Sequence, residues 1–197
     1  MRRILVTNDD GYRSEGLIAL ADALRPLGDV TIVAPMTEAS AIGHALTLRH
    51  PLRLEHMSEK LFAVDGTPTD CVNIAVTQIF RSLPDLVVSG INKGWNLGDD
   101  VTYSGTVSGA LEAALLGVPA IAVSLQFSRS FDFSHAARAA AAMADALRRA
   151  VAVADVFEHQ RAEGRPERPS RDSSGQAESR HVSRGAPRSE GTAVLLD

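Results

Sequence analysis

Two rhythms alternate along the first three quarters of this chain. Short apolar runs read as strands buried on both faces, and stretches with apolar residues three and four apart read as amphipathic helices. Arg2–Thr7 is the first such strand, and Glu15–Pro26 the first helix, with Leu17, Leu20, Ala21 and Leu24 on one face. Pro26 and Gly28 end it. Val30–Ala34 is the next strand, stopped by Pro35, and Met36–Gly43 is a loop of small residues. Ala45–Leu54 alternates like a hairpin broken at Pro51, and Leu61–Val64 is a short strand. Thr67-Pro68-Thr69-Asp70 then opens a helix, with Thr67 at the N-cap, Pro68 at N1 and Asp70 at N3. Asp85–Ser89 is another buried strand, followed by a glycine-rich loop from Gly90 to Gly105. A helix through Val107–Leu116 closes at Gly117, Val118–Ser124 is a strand, and Phe133–Val153 is a long Ala-rich helix. This order predicts an α/β fold, a Rossmann-like, doubly wound and mostly parallel sheet with right-handed crossovers.

The pattern breaks after residue 156. From Glu158 to Gly191 there is almost no aliphatic residue, and Arg, Glu, Ser, Gly and Pro dominate. Such a segment buries too little apolar surface to offset its ordering entropy. The expected organisation is therefore one domain over 1–156 and a disordered tail over 157–197 with a short apolar tip at Ala193–Leu196.

Composition narrows the class. At 197 residues the chain supports one full core, and 45% hydrophobic with 22% charged residues is ordinary for a globular protein. A net charge of −4 gives no electrostatic footprint for a nucleic-acid duplex or a membrane surface. One cysteine, Cys71, excludes an intrachain disulfide and reads as a buried structural thiol. The apolar run behind Met1-Arg2-Arg3 is too short for a signal peptide, and no stretch nears the ~18 apolar residues of a membrane span. A cytoplasmic location is expected.

The candidate chemistry lies in the loops that follow strands, where open α/β sheets build their sites. The first strand runs straight into Asn8-Asp9-Asp10-Gly11. Adjacent carboxylates repel, and a hard cation such as Mg²⁺ or Mn²⁺ relieves that repulsion. Asp10-Gly11 also fits a plain turn, and Asp9 a helix cap. Ser40 offers a hydroxyl to a cation or makes a local turn, and His44 contacts substrate, donates a proton or is a hydrogen-bonded surface histidine. Glu38 reads as a solvated loop charge. Asn92, in Ser89-Gly90-Ile91-Asn92, offers a carbonyl oxygen on the same sheet edge as Asp9. Asp99 and Asp100 read as turn or solvated acids, and Trp95 as a packed loop residue rather than a base-stacking one. Tyr103-Ser104-Gly105-Thr106-Val107 opens a helix, whose free N–H groups and dipole suit a phosphate. Together these features suit a phosphate ester held between a cation and a helix terminus.

Five motifs carry a resemblance. Asn8-Asp9-Asp10-Gly11, Ser40-x-x-Gly43-His44, Gly66-Thr67-Pro68-Thr69-Asp70-Cys71-Val72, Ser89-Gly90-Ile91-Asn92-x-Gly94-x-Asn96-x-Gly98 and Tyr103-Ser104-Gly105-Thr106-Val107 occur in the order found in the SurE family of metal-dependent 5′/3′-nucleotidases. The resemblance covers Met1 to roughly Ala154. It implies a Rossmann-like fold and hydrolysis of nucleoside monophosphates, with 3′-mononucleotides and short polyphosphate as further substrates. It implies one divalent cation per subunit on Asp9, Asp10, Ser40 and Asn92, and phosphate contacts from Asn96, Ser104, Gly105 and Thr106. Asp9 would position or activate the attacking water, and Asn8 would shape the site. A homodimer or homotetramer is implied too. Met36 stands where the family often has an acid. After the long helix, the family's apolar strand with Asn-Val-Asn-x-Pro and its oligomerising β-arms have no counterpart here, so against the family pattern the C-terminal part is expected to be atypical or truncated, through a frameshift, a truncation or true divergence. A SurE-like protein impaired by an incomplete fold is therefore an alternative.

Other classes fit less well. A phospho-receiver needs a phosphorylatable Asp after its third parallel strand and a late Lys; this chain has Ser89-Gly90-Ile91-Asn92 there, and no Lys follows Lys93. A haloacid-dehalogenase-type phosphatase needs Asp-x-Asp, which Asn8-Asp9-Asp10 does not supply.

Overall fold

A computed structural model describes residues 2–163 and 192–196. Its centre is a seven-stranded sheet in the order β3-β4-β2-β1-β5-β6-β7. The strands are β1 (Arg3–Thr7), β2 (Asp29–Pro35), β3 (Leu54–Ser58), β4 (Leu61–Val64), β5 (Leu86–Lys93), β6 (Ala120–Leu125) and β7 (Thr192–Leu196). Only β3 runs antiparallel, against β4. The helices are α1 (Glu15–Leu24), α2 (Pro68–Ile74), α3 (Gly105–Leu115) and α4 (Ser134–Glu163). The chain passes from β1 outward to β2 on one side and later to β5 on the other, so the strand order reverses at β1. The carboxyl ends of β1 and β5 flank the crevice that such a reversal creates.

Each face of the sheet buries its own cluster. On one, Ile4, Val6, Ile32, Val88 and Ile121 pack with Leu17, Leu20, Ala21 and Leu24 of α1 and with Ala136, Ala137 and Ala140 of α4. On the other, Leu5, Val33, Val87 and Ala122 pack with Cys71 and Val72 of α2 and Val107, Ala110 and Ala113 of α3. Alternate residues of β1 thus serve opposite cores, as the period of two requires. The α1 face is the one its sequence spacing predicts. So is the start of α2, where Thr67 and Asp70 form a reciprocal capping box with Pro68 in the first turn.

Four segments differ from the sequence reading. First, β5 does not stop at Ser89. It continues to Lys93 through a bulge, and pairing with β6 resumes at Asn92↔Ser124. Gly90 reads as a breaker but sits inside the strand at φ 139°, where a Cβ would lie 2.3 Å from the carbonyl oxygen of Val123. Only glycine fits that approach. Second, α3 starts at Gly105 rather than Val107.

Third, Ala45–Leu54 is no hairpin. Thr47 donates its N–H and hydroxyl to Asp70 (3.0 and 2.6 Å), and the Thr67 hydroxyl donates to the Ala45 carbonyl (2.7 Å). These side-chain bonds hold the segment to the start of α2, and β3 begins only at Leu54. Fourth, the helical part of the chain outlasts residue 156. α4 reaches Glu163, since extending an existing helix avoids the cost of nucleation. The apolar tip, expected in a disordered tail, pairs as β7 along β6. The rest of that expected tail, 164–191, lies outside the described residues.

Candidate functional site

The loops after β1, β2 and β5 and the approach to α3 enclose one open cavity of about 560 Å³. All four residues singled out as cation ligands, Asp9, Asp10, Ser40 and Asn92, line it. They come from different strand ends. Asp9 and Asp10 follow β1, Ser40 follows β2, and Asn92 lies within the last part of β5. Backbone bonds lock the first two loops together, with Ala39 N–H on the Asp9 carbonyl (2.7 Å) and Tyr12 N–H on the Pro35 carbonyl (2.9 Å).

The carboxyl pair is in an unfavourable setting. Asp9 is 4% exposed. Burial raises its pKa, opposed by hydrogen bonds from the Thr106 hydroxyl and from backbone N–H groups. Burial, and next the charge of Asp9, push Asp10 up to about 6, with Lys93 pulling the other way. Asp10 Oδ2 is buried with no hydrogen-bond partner. An unsatisfied carboxylate oxygen beside a second carboxylate is costly unless a cation is shared between them.

The neutral candidates spend their hydrogens elsewhere. Ser40 donates its hydroxyl to Glu38 Oε1 (2.7 Å), and Asn92 donates Nδ2 to the Gly94 carbonyl (3.0 Å). Each keeps oxygen lone pairs for a positive ligand. The set is all oxygen, which suits Mg²⁺ or Mn²⁺ rather than a soft metal. Among the described residues no three His, Cys, Asp or Glu side chains converge on a metal-sized site. A cation here would rest on two carboxylates and neutral oxygens.

The residues singled out for phosphate divide. Asn96 and Ser104 line the cavity. Asn96 donates one Nδ2 hydrogen to Ser124 Oγ (2.6 Å) and keeps the other. Ser104 caps α3 by accepting from Val107 N–H (3.1 Å). Gly105 and Thr106 stand behind Asp9 instead. The Thr106 hydroxyl donates to Asp9 Oδ1, and a Cβ on Gly105 would lie 2.7 Å from Asp9 Cβ. Asn8 is fully buried and donates Nδ2 to the Gly11 carbonyl (3.1 Å), shaping the turn that carries the two aspartates. His44 is not in the cavity lining. Its Nε2 lies 2.7 Å from Glu112 Oε2, and Asn73 Nδ2 donates to the other oxygen of Glu112 (2.7 Å). This network ties the Ser40 loop to α2 and α3.

The cavity takes in further residues beyond these candidates. Glu38 is exposed as expected, yet it lines the cavity and holds Ser40. Asp100 lines it too. Lys93 brings a positive charge to the rim, its Nζ 5.7 and 5.9 Å from the ring centres of Phe131 and Phe133. Ser14, which no sequence motif marks, contributes a buried hydroxyl without a partner at the N-cap of α1. Trp95 is not packed away but 51% exposed on the cavity wall. Cys71 is buried as expected, and burial pushes its thiol well above the ordinary value.

Comparison with known proteins identifies the family. The model of the family described as Survival protein SurE matches residues 4–172. This chain belongs to the SurE family. The match runs beyond Ala154, where the motif resemblance ends. The 5′-nucleotidase SurE of Geotalea daltonii is 56% identical over 156 residues, covering 79% of this chain and 63% of that protein. The one from Geobacter sulfurreducens is 59% identical over 150 residues, covering 75% and 55%. The chain therefore spans little more than half the length of these relatives. The crystal structure of the SurE protein from Aquifex aeolicus superposes with a TM-score of 0.71 at 44% identity, covering 74% of this chain and 59% of that one.

Proposed function

We propose that this chain is a divalent-metal-dependent phosphomonoesterase that releases phosphate from nucleoside monophosphates. The observation that carries the reading is the pair of buried Asp9 and half-buried Asp10, with an unpartnered carboxylate oxygen on Asp10, facing a cavity that also takes in Ser104 at the start of α3. Relatives bearing the 5′-nucleotidase name support the substrate class.

Asp9, Asp10, Ser40 and Asn92 would hold one Mg²⁺ or Mn²⁺, which when bound supplies Lewis-acid stabilisation of charge on the phosphoryl group. The chain's own residues do the rest. Asp9, immobilised by Thr106, orients the attacking water. Asn96 and Ser104 receive the phosphoryl oxygens, with the dipole of the eleven-residue α3 behind them. Lys93 adds a positive charge to the rim, where leaving-group and phosphate charge is exposed.

No helix among the described residues is long and apolar enough to cross a membrane. The location we propose is the cytoplasm. The test is phosphate release from a panel of 5′- and 3′-nucleotides with Mg²⁺ or Mn²⁺. Release that stops with EDTA and in Asp9→Asn supports the reading; full release under both conditions overturns it.

A further inference from the structure

Trp95 is half exposed on the wall of the cavity that holds Asp9, Asp10 and Asn92. Among the described residues its ring belongs to neither core cluster and has no stacking or cation–π partner. Its backbone, by contrast, is pinned on both sides. Gly94 N–H donates to the Leu125 carbonyl (2.9 Å), and the Asn96 side chain donates to Ser124 (2.6 Å). Both anchors fall at the end of β6. An unpartnered indole on an anchored backbone costs exposed apolar surface and keeps a flat face ready for a ligand. On the same cavity stands a second exposed aromatic, Tyr103, 66% exposed and joined through its carbonyl to Gly43 of the Ser40 loop.

We propose that Trp95 is a specificity-determining residue, a stacking platform for the base of a nucleotide whose phosphate lies at the Asp9–Asp10 end of the cavity. The inference rests on the phosphomonoesterase reading and adds to it how the site tells a nucleotide from any other phosphate ester. The acidic end recognises only what all phosphomonoesters share. A planar base gains stacking that a bare sugar phosphate cannot make, and such stacking tolerates different bases because each has a π-face. The platform therefore favours nucleotides as a class, purines most, since they cover the larger area.

Trp95 is the only tryptophan of the chain, so its fluorescence reports this ring alone. The full chain is titrated in Mg²⁺ with AMP and, separately, with ribose 5-phosphate, which has the same sugar and phosphate without the base. AMP should quench the emission saturably, and ribose 5-phosphate should leave it unchanged. In Trp95→Ala, the preference for AMP over ribose 5-phosphate, as a ratio of kcat/KM, should fall about tenfold, a size typical of one lost stack. Trp95→Phe should restore most of the ratio, which a merely structural role would not produce. Equal quenching by both ligands, or an unchanged ratio in Trp95→Ala, overturns the platform. Absence of phosphate release from every substrate overturns the parent reading instead, and the quenching experiment still decides the platform because it needs no turnover.

Discussion

The hydroxyl of Thr106 donates to Oδ1 of Asp9 across 97 residues of sequence, joining the first turn of α3 to the tip of β1. Both residues are buried, and the bond fixes one oxygen of Asp9, while Oδ2 of Asp10 is left without a partner. Thr106 thus positions Asp9 and favours its ionised form against the cost of burial. Thr106→Val should weaken Mn²⁺ binding by about tenfold, within the range for lost support of a metal ligand, and Thr106→Ser should recover it. Free Mn²⁺ counted by electron paramagnetic resonance measures both.

Gly105 sets the distance between the same two elements. A methyl group there would meet Asp9 Cβ at 2.7 Å and Oδ2 at 2.9 Å, so either α3 or the aspartate must move. Gly105→Ala should lower stability by about 1–3 kcal/mol, as overpacking does, and lower kcat/KM by more than tenfold. Urea unfolding and steady-state kinetics on one preparation separate the two effects.

The carboxyl pair also sets a pH dependence. Asp9 and Asp10 are harder to ionise in the folded chain than in the unfolded one, Asp10 to about 6. The folded state therefore holds more protons, and metal-free stability from this pair is present below about pH 4 and is lost as pH rises through about 6. A divalent cation competes with those protons, so its affinity should rise over the same window. Melting curves at pH 5 and pH 7 should show a Mg²⁺-induced gain in Tm that is larger at pH 7. In Asp10→Asn that difference should shrink.

Glu112 anchors the Ser40 loop through His44 while bonding Asn73 of α2. Removing it leaves His44, an exposed residue, to water and Asn73 with its remaining bond to the Thr69 carbonyl. Glu112→Ala should cost about 1 kcal/mol, and a double-mutant cycle with His44→Ala should show coupling above about 0.5 kcal/mol. Denaturant melts of the four proteins check this.

What the sequence made legible follows from how local each signal is. The α1 face, the α2 capping box and the strand-end position of Asp9, Asp10, Ser40 and Asn92 could be read because spacing and capping are local. The run past Gly90 could not, because a bulge depends on the pairing of Asn92 with Ser124 across the sheet. His44 has an imidazole suited to a site, yet its partner lies 68 residues away on α3. Thr106 reads from sequence as a helix-start hydroxyl, but its bond to Asp9 is not legible there, since nothing near it in sequence points to Asp9. A loop Trp reads as packed, and only the fold shows Trp95 half exposed on the wall of the cavity.

The central claim is that Asp9 and Asp10 share one divalent cation. Calorimetric titration of Mn²⁺ into the purified chain at pH 7 tests it most directly. One site per chain is expected, abolished in Asp9→Asn and strongly weakened in Asp10→Asn. Unchanged binding in Asp9→Asn, or no binding heat in the unsubstituted chain, would contradict it.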